Sequence, residues 1–93
     1  MMGQSSKEKV ARLLQTAGDK SRLKILCTVF AGQDLCVSEL AQKIGLGVAI
    51  TSHHLQVMAR AGLLKPVRHG KRICYVLSKA PIVSDLKGLI CKY

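Results

Sequence analysis

Four cysteines are the most chemically distinctive residues of this chain: Cys27, Cys36, Cys74 and Cys91. No two of them form the Cys-x-x-Cys pair typical of structural zinc sites, which argues against such a site. A disulfide framework belongs to oxidising compartments. The N-terminal stretch 1–9 has no apolar segment of a secretory signal. We therefore expect a cytoplasmic protein whose thiols are reduced.

The composition indicates a polyanionic partner. The 93 residues carry 15 Lys plus Arg against 5 Asp plus Glu, a formal charge of +10. No apolar run approaches the roughly 18 residues that a membrane span requires. Three aromatic residues are too few for single strands bound by base stacking. The charge alone thus indicates a polyanion, either nucleic acid or an acidic membrane surface. Together with the motifs described below, we expect double-stranded DNA and no membrane as the partner.

The chain is expected to form one domain over residues 1–93 and to have no enzymatic activity. Its apolar share of 48% excludes an intrinsically disordered tail. It has no acid/base pair, no nucleophile elbow and no phosphate loop, and we expect no cofactor.

Four helices are predicted first, from apolar spacing and helix-end residues. The first begins at a capping box, Ser5 to Glu8, and ends at Gly18. The second is capped by Asp19 or Ser21 and closes at Gly32. The third runs from Glu39 to Ile44 after a Ser38 cap, and the fourth from about Val48 to Ala61, with Ile50, Leu55 and Met58 inward. Between these two lies a tight Gly45-Leu46-Gly47 turn.

A β-hairpin and a last helix complete the pattern. Two strands, Leu63–Arg68 and Arg72–Ser78, flank a His69-Gly70-Lys71 loop, and Pro66 indicates an edge strand. The last helix covers about Ala80 to Lys92. The order ααααββα predicts a mainly α winged helix–turn–helix with a β-hairpin wing, whose fourth helix enters a major groove.

Four motifs, in order, resemble those of ArsR/SmtB-family repressors. Residues 17–26 are similar to the family's "LGDPTRLRIL" opening, and residues 38–41 to its "V-x-ELA" helix. Residues 51–55 with 61–64 resemble the "SxHLxxLxxAGLV" recognition segment. Residues 68–72 with Tyr75 resemble the wing. The resemblance implies a transcriptional repressor that pairs through its first and last helices and binds a palindromic operator.

Polar and basic side chains are the candidate DNA contacts. On the fourth helix they are Thr51, Ser52, His53, His54 and Gln56, with Gln56 or His54 as the expected base reader. At the hairpin they are Arg68, Lys71 and Arg72, which suit backbone or minor-groove contact. Further candidate phosphate contacts are Arg22, Lys24, Lys43 and Arg60.

The same resemblance constrains the signal that is sensed. Last-helix metal sensors of the family use Asp, His and Glu there, but residues 80–93 contain only Asp85 of these. Of the arsenite sensors' "CVCDLC" cluster only Cys36 remains, and one thiolate does not hold arsenite tightly. Cys36 is a metal candidate only together with a cysteine from elsewhere.

Cys27 and Cys91 resemble the cysteine pair of the BigR/SqrR-type repressors, which sense persulfides and related oxidants. In that resemblance one thiolate attacks the persulfide or oxidant, and the second closes a di- or polysulfide bridge that releases the operator. Lys24 is a candidate for lowering a thiol pKa. Two alternatives stay open: a repressor of the same family that responds to arsenite or another thiophilic metal, and a winged-helix protein-interaction module without an operator.

Overall fold

The computed structural model describes residues 2–32 and 35–92, and for residues 2–5 the backbone alone. Its helices are α1 (Met2–Ala17), α2 (Lys20–Phe30), α3 (Val37–Ile44), α4 (Val48–Arg60) and α5 (Pro81–Ile90). Its strands are β1 (Leu35–Cys36), β2 (Leu64–His69) and β3 (Arg72–Leu77). The winged helix–turn–helix is confirmed. Within these residues no helix is long and apolar enough to cross a membrane.

Two of the predicted helix starts are wrong. Helix α1 begins at Met2, so Ser5 lies inside the helix rather than at its cap. Helix α3 begins at Val37 and places Ser38 in its first turn. Cys36 is the N-cap of α3, and its backbone N–H donates to Glu39 Oε1 at 3.0 Å. Of the two candidate N-caps of α2, Asp19 and Ser21, the structure shows Asp19. Its carboxylate accepts a hydrogen bond from the Arg22 N–H at 3.1 Å.

The sheet has three antiparallel strands in the order β1-β3-β2, so the predicted hairpin is joined by a strand that the sequence pattern did not predict. Strand β1 has two residues, too few for an alternating pattern. Pro66 lies on β2, an edge strand, as predicted. Gly70 adopts a φ of 64° in the turn between β2 and β3, a conformation that glycine adopts without strain.

The core lies where α2, α3, α4 and α5 meet the sheet. Its fully buried side chains include Ile25, Leu26, Leu40, Leu55, Met58, Leu63 and Val83. The prediction that Ile50 points inward is wrong, because its side chain is 49% exposed. Thr51, fully buried, takes that place. Residues 51, 55 and 58 follow the i, i+4, i+7 spacing of a single helix face.

The expectation of four reduced thiols is wrong for two of them. Cys36 on β1 faces Cys74 on β3, and the two are joined in a disulfide. Both residues are buried. The pair also overturns Cys36 as a metal candidate in this state, since a disulfide sulfur is not a thiolate ligand. Cys27 and Cys91 are free thiols.

Candidate DNA interface and thiol pair

The turn between α3 and α4 sets the direction of the recognition helix. Gly45 ends α3 with a φ of 76°, and Gly47 caps α4. The Thr51 hydroxyl donates to the Gly47 carbonyl at 2.8 Å, one turn back along α4. The prediction that Thr51 contacts DNA is therefore wrong: its side chain is fully buried and its hydroxyl secures the start of the helix.

The outer face of α4 presents a polar stripe to solvent. Ala49, His53, Gln56 and Arg60 are all exposed and recur at helical spacing. Gln56 Nε2 donates to Ser52 Oγ at 3.2 Å, so the amide is oriented by its neighbour on the same face. These side chains lie where a helix in a major groove meets base edges and phosphates.

Two apolar residues at the start of α4 were missed as candidates. Val48 and Ile50 are 54% and 49% exposed, although apolar residues of this size are usually buried. At the leading end of a recognition helix, such side chains suit contact with thymine methyl groups. The sequence did contain a signal for Ile50: position 50 lies off the helix face that residues 51, 55 and 58 share.

His54 lies between the recognition helix and α2 rather than on the outer stripe. Its side chain is half-buried, and its Nδ1 accepts a hydrogen bond from Arg22 Nε at 3.1 Å. Arg22 Nη1 also donates to the Thr16 carbonyl at 3.3 Å. One arginine thus joins the end of α1, the first turn of α2 and the middle of α4.

The wing carries exposed basic residues, and one of those near its tip has an acidic partner. Arg68 and Lys71 lie exposed beside the turn. Arg72 Nη2 donates to Glu39 Oε1 at 3.1 Å, which ties the wing to the first turn of α3. The pKa of Glu39 is lowered, first by the hydrogen bond from the Cys36 N–H and then by the nearby charge of Arg72.

Cys27 and Cys91 come together where α2 meets the end of α5. Cys27 is half-buried and Cys91 is exposed. The pKa of Cys27 is raised, first by burial and then by the charge and hydrogen bond of the Cys91 thiol. The predicted lowering of a thiol pKa by Lys24 is wrong for Cys27, whose pKa is raised, chiefly by burial.

A cleft of about 520 Å³ opens beside Cys27. Its walls are Lys20, Leu23, Lys24, Cys27, Thr28, Lys43, Ile44 and Ile90. A small sulfur compound can therefore reach this thiol from solvent. Among the described residues no cluster of three or more His, Cys, Asp or Glu is placed to hold a metal ion.

Comparison with known proteins agrees with this geometry. The profile "Bacterial regulatory protein, arsR family" matches residues 19–65, from the cap of α2 into β2. The chain belongs to the arsR family. Like the other members of this family, the protein is a DNA-binding transcriptional regulator and not an enzyme.

A family relative in Xylella fastidiosa (strain Temecula1 / ATCC 700964), the "Biofilm growth-associated repressor", is 35% identical over 85 residues. The match covers 88% of this chain and 74% of that protein.

Two solved structures of arsR-type regulators resemble this fold closely. The transcriptional repressor BigR of Xylella fastidiosa superposes with a TM-score of 0.77 at 33% identity, covering 98% of this chain and 91% of that one. The homodimeric winged helix–turn–helix DNA-binding domain of Mb0332 from Mycobacterium bovis superposes with a TM-score of 0.82 at 26% identity. That superposition covers 96% of this chain and 81% of the other.

Proposed function

We propose that this arsR-family protein is a homodimeric repressor that binds a palindromic operator and leaves it when Cys27 and Cys91 become covalently bridged. The carrying observation is that two free thiols, far apart in sequence, interact between α2 and α5. The inducer is a reactive sulfur species, such as a persulfide, or another oxidant of thiols. The protein works on DNA and hence in the cytoplasm.

The outer stripe of α4 and the wing form the proposed DNA surface. His53 and Gln56 read base edges, Ser52 orients Gln56, and Arg60 contacts phosphate. Arg68 and Lys71 contact the backbone beside the groove. His54 and Arg72 act through their partners, because each is already engaged by another side chain.

An exposed apolar surface supports the dimer. Val10 and Leu14 of α1 and Leu89 of α5 are 39%, 49% and 59% exposed. An apolar groove of about 340 Å³ runs between these helices. A second copy that buries the same two helices covers this surface, and the similar Mycobacterium bovis domain is itself homodimeric. The two α4 helices then lie about 34 Å apart, one DNA turn.

The proposed switch is a two-step sulfur transfer. The Cys27 thiolate attacks the outer sulfur of a persulfide R–S–SH, forming Cys27–S–SH and releasing R–SH. The Cys91 thiolate then attacks the Cys27 sulfur, forming a disulfide and releasing H₂S. The new bond draws the end of α5 onto α2. Because α5 belongs to the dimer surface, the bridge changes the spacing of the two recognition helices.

The test is operator binding by fluorescence anisotropy, with and without an organic persulfide, followed by intact mass and peptide mapping. We expect salt-dependent binding of a palindrome that is lost on treatment, with a Cys27–Cys91 crosslink. C27S and C91S should each bind the operator and ignore the persulfide, whereas the neighbouring variant T28S should respond normally. A C27S protein that is released as readily as the wild type contradicts the switch.

Release by arsenite, with a thiolate absorbance band, supports the metal alternative instead. Absence of any operator binding at moderate salt supports the interaction-module alternative.

A further inference from the structure

The second cysteine pair joins the helix–turn–helix to the wing. Cys36 and Cys74 are register partners in the β1–β3 ladder, with Cα atoms 3.9 Å apart. This spacing resembles the narrow, non-hydrogen-bonded class of antiparallel pairs, in which side chains lie close together. The register of the two strands thus places the two cysteines directly opposite each other.

One of the two cysteines, Cys36, borders an open cleft. This cleft, of about 320 Å³, is lined by Cys36, Val37, Ser38, Val48, Lys71, Arg72 and Ile73. Cys74 is not among its walls and is 4% exposed. A reagent in the cleft therefore meets Cys36 first, with Cys74 behind it. That is the arrangement of an attacking and a resolving thiol.

The charges around the cleft select the reagent. Lys71 and Arg72 both line it, and among the residues that the structure describes no carboxylate does. Glu39 lies nearby and pairs with Arg72, which leaves Lys71 as the cation without an acidic partner in this part of the described structure. A small anion is attracted to this cleft, and a small cation is repelled.

We propose that Cys36 and Cys74 form a second, reversible dithiol–disulfide site, separate from Cys27 and Cys91, which exchanges with anionic low-molecular-weight disulfides through the Lys71–Arg72 cleft. Its redox state determines whether the wing is covalently tied to the start of α3.

The exchange balances in both directions. In oxidation, the Cys36 thiolate attacks a disulfide R–S–S–R, forming Cys36–S–S–R and releasing one R–S⁻. The Cys74 thiolate then attacks the Cys36 sulfur and releases the second R–S⁻. Overall, two protein thiols lose two protons and two electrons to the small disulfide, which becomes two thiols. In reduction, one thiolate of a dithiol attacks the Cys36 sulfur, since Cys36 borders the cleft, and Cys74 leaves as the thiolate. The second thiolate of the dithiol then attacks this mixed disulfide, which closes the reagent's own disulfide and releases the Cys36 thiolate.

The tie acts between β1 and β3, which meet over a short ladder. Strand β1 has two residues, so its ladder to β3 is short. Beyond this ladder, the exposed Glu39–Arg72 ion pair joins α3 to β3, and exposed pairs contribute little. Reducing the disulfide should therefore loosen the hairpin. The hydrophobic core should stay in place.

The experiment uses the C27S/C91S chain, in which Cys36 and Cys74 are the remaining cysteines. After reduction it is treated with glutathione disulfide, neutral hydroxyethyl disulfide or cationic cystamine, and oxidation is followed by intact mass. We expect loss of two hydrogens and a Cys36–Cys74 crosslinked peptide. Glutathione disulfide should react roughly tenfold or more faster than cystamine at low ionic strength. Added salt should narrow this difference.

Matched variants test the cleft. K71A should reduce the preference for the anionic reagent. K65A, which changes an exposed lysine of β2 outside the cleft, should not.

Hydrogen exchange of residues 64–77 should be slower in the oxidised chain. The proposal is overturned if the pair stays reduced, stops at a mixed disulfide, or reacts equally with all three reagents. If C27S/C91S does not fold, differential alkylation of the wild-type chain measures the same pair. None of these readouts depends on operator binding.

Discussion

Arg22 Nε donates to His54 Nδ1 across 3.1 Å, so the recognition helix is held to α2 by one side-chain hydrogen bond. His54 must be neutral at Nδ1 to accept it. This makes His54 a positioning residue for α4 rather than a free base reader. The bond also explains why Arg22, a candidate phosphate contact from its sequence position, points toward the core of the helix–turn–helix.

From this bond we expect R22A and H54A each to lower the free energy of unfolding by about 0.5–1.5 kcal/mol. The double variant should lose clearly less than the sum, because both changes remove the same bond. Chemical denaturation of the four proteins measures the coupling. R12A, an exposed arginine of α1, combined with H54A should be additive. Additivity of R22A and H54A would contradict the pairing.

Substitutions at Gln56 and Thr51, both on α4, should have separate effects on operator recognition and on stability. Q56A removes an exposed donor and acceptor from the outer stripe, so operator affinity should fall by about 1–3 kcal/mol and discrimination at one base pair should relax. T51V keeps the buried volume but removes the hydroxyl bonded to Gly47. It should lower the free energy of unfolding by about 1 kcal/mol and leave sequence preference unchanged. Anisotropy against a set of single-base operator variants tests both.

The pattern of the sequence predicted the elements well and their tertiary pairings poorly. Gly18, Gly45 and Gly70 mark chain reversals that are local, and local signals are readable. Strand β1 exists because Leu35 and Cys36 pair with residues about forty positions later, which no short window contains. The disulfide was rejected on a different ground, since a chain without a secretory signal was expected to keep its thiols reduced. Which cysteines pair depends on the register of this ladder, not on cysteine spacing.

The face of α4 shows how a hydrophobicity rule misplaces a candidate site. Ile50 is more apolar than Thr51 and was predicted to point inward, yet Thr51 shares the face of Leu55 and Met58. A buried hydroxyl is tolerated here because the Gly47 carbonyl satisfies it. Because Thr51 rather than Ile50 faces the core, the predicted DNA contact at Thr51 is a structural residue, and Ile50 is exposed at the leading end of the helix.

The Cys36–Cys74 bond should stabilise the fold as a closed loop. The two residues are 38 apart in sequence, and a loop of that size corresponds to about 4 kcal/mol in the chain-entropy account of disulfides. We expect C74S to lower the free energy of unfolding by about 2–4 kcal/mol under oxidising conditions. In excess dithiol the wild type and C74S should differ far less. An equal difference in both conditions would assign the effect to packing of Cys74.

The reactivity of Cys27 should rise steeply at alkaline pH. Its raised pKa means that less thiolate is present at a given pH than for an ordinary cysteine. C91S removes one cause of the rise, so the pH midpoint for Cys27 should move down, while burial keeps it above the ordinary value. Alkylation by iodoacetamide, followed by mass spectrometry across pH, measures both midpoints. A midpoint that C91S leaves unchanged would show that the two thiols do not interact.

Asp19 should make stability fall in acid. Its pKa lies below the usual 3.8, chiefly because its carboxylate accepts the Arg22 N–H at the start of α2, with smaller contributions from the Ser21 backbone N–H and the charge of Arg22. A lowered folded-state pKa means that the stabilisation is fully present above 3.8 and is lost as the pH falls through the folded-state value. D19N retains a capping side chain that does not titrate, whereas D19A should cost about 1 kcal/mol even at neutral pH. Urea unfolding from neutral pH into this acid range should show the wild type losing stability relative to D19N only there. Parallel curves for the two proteins would mean that the Asp19 carboxylate is not held by its cap.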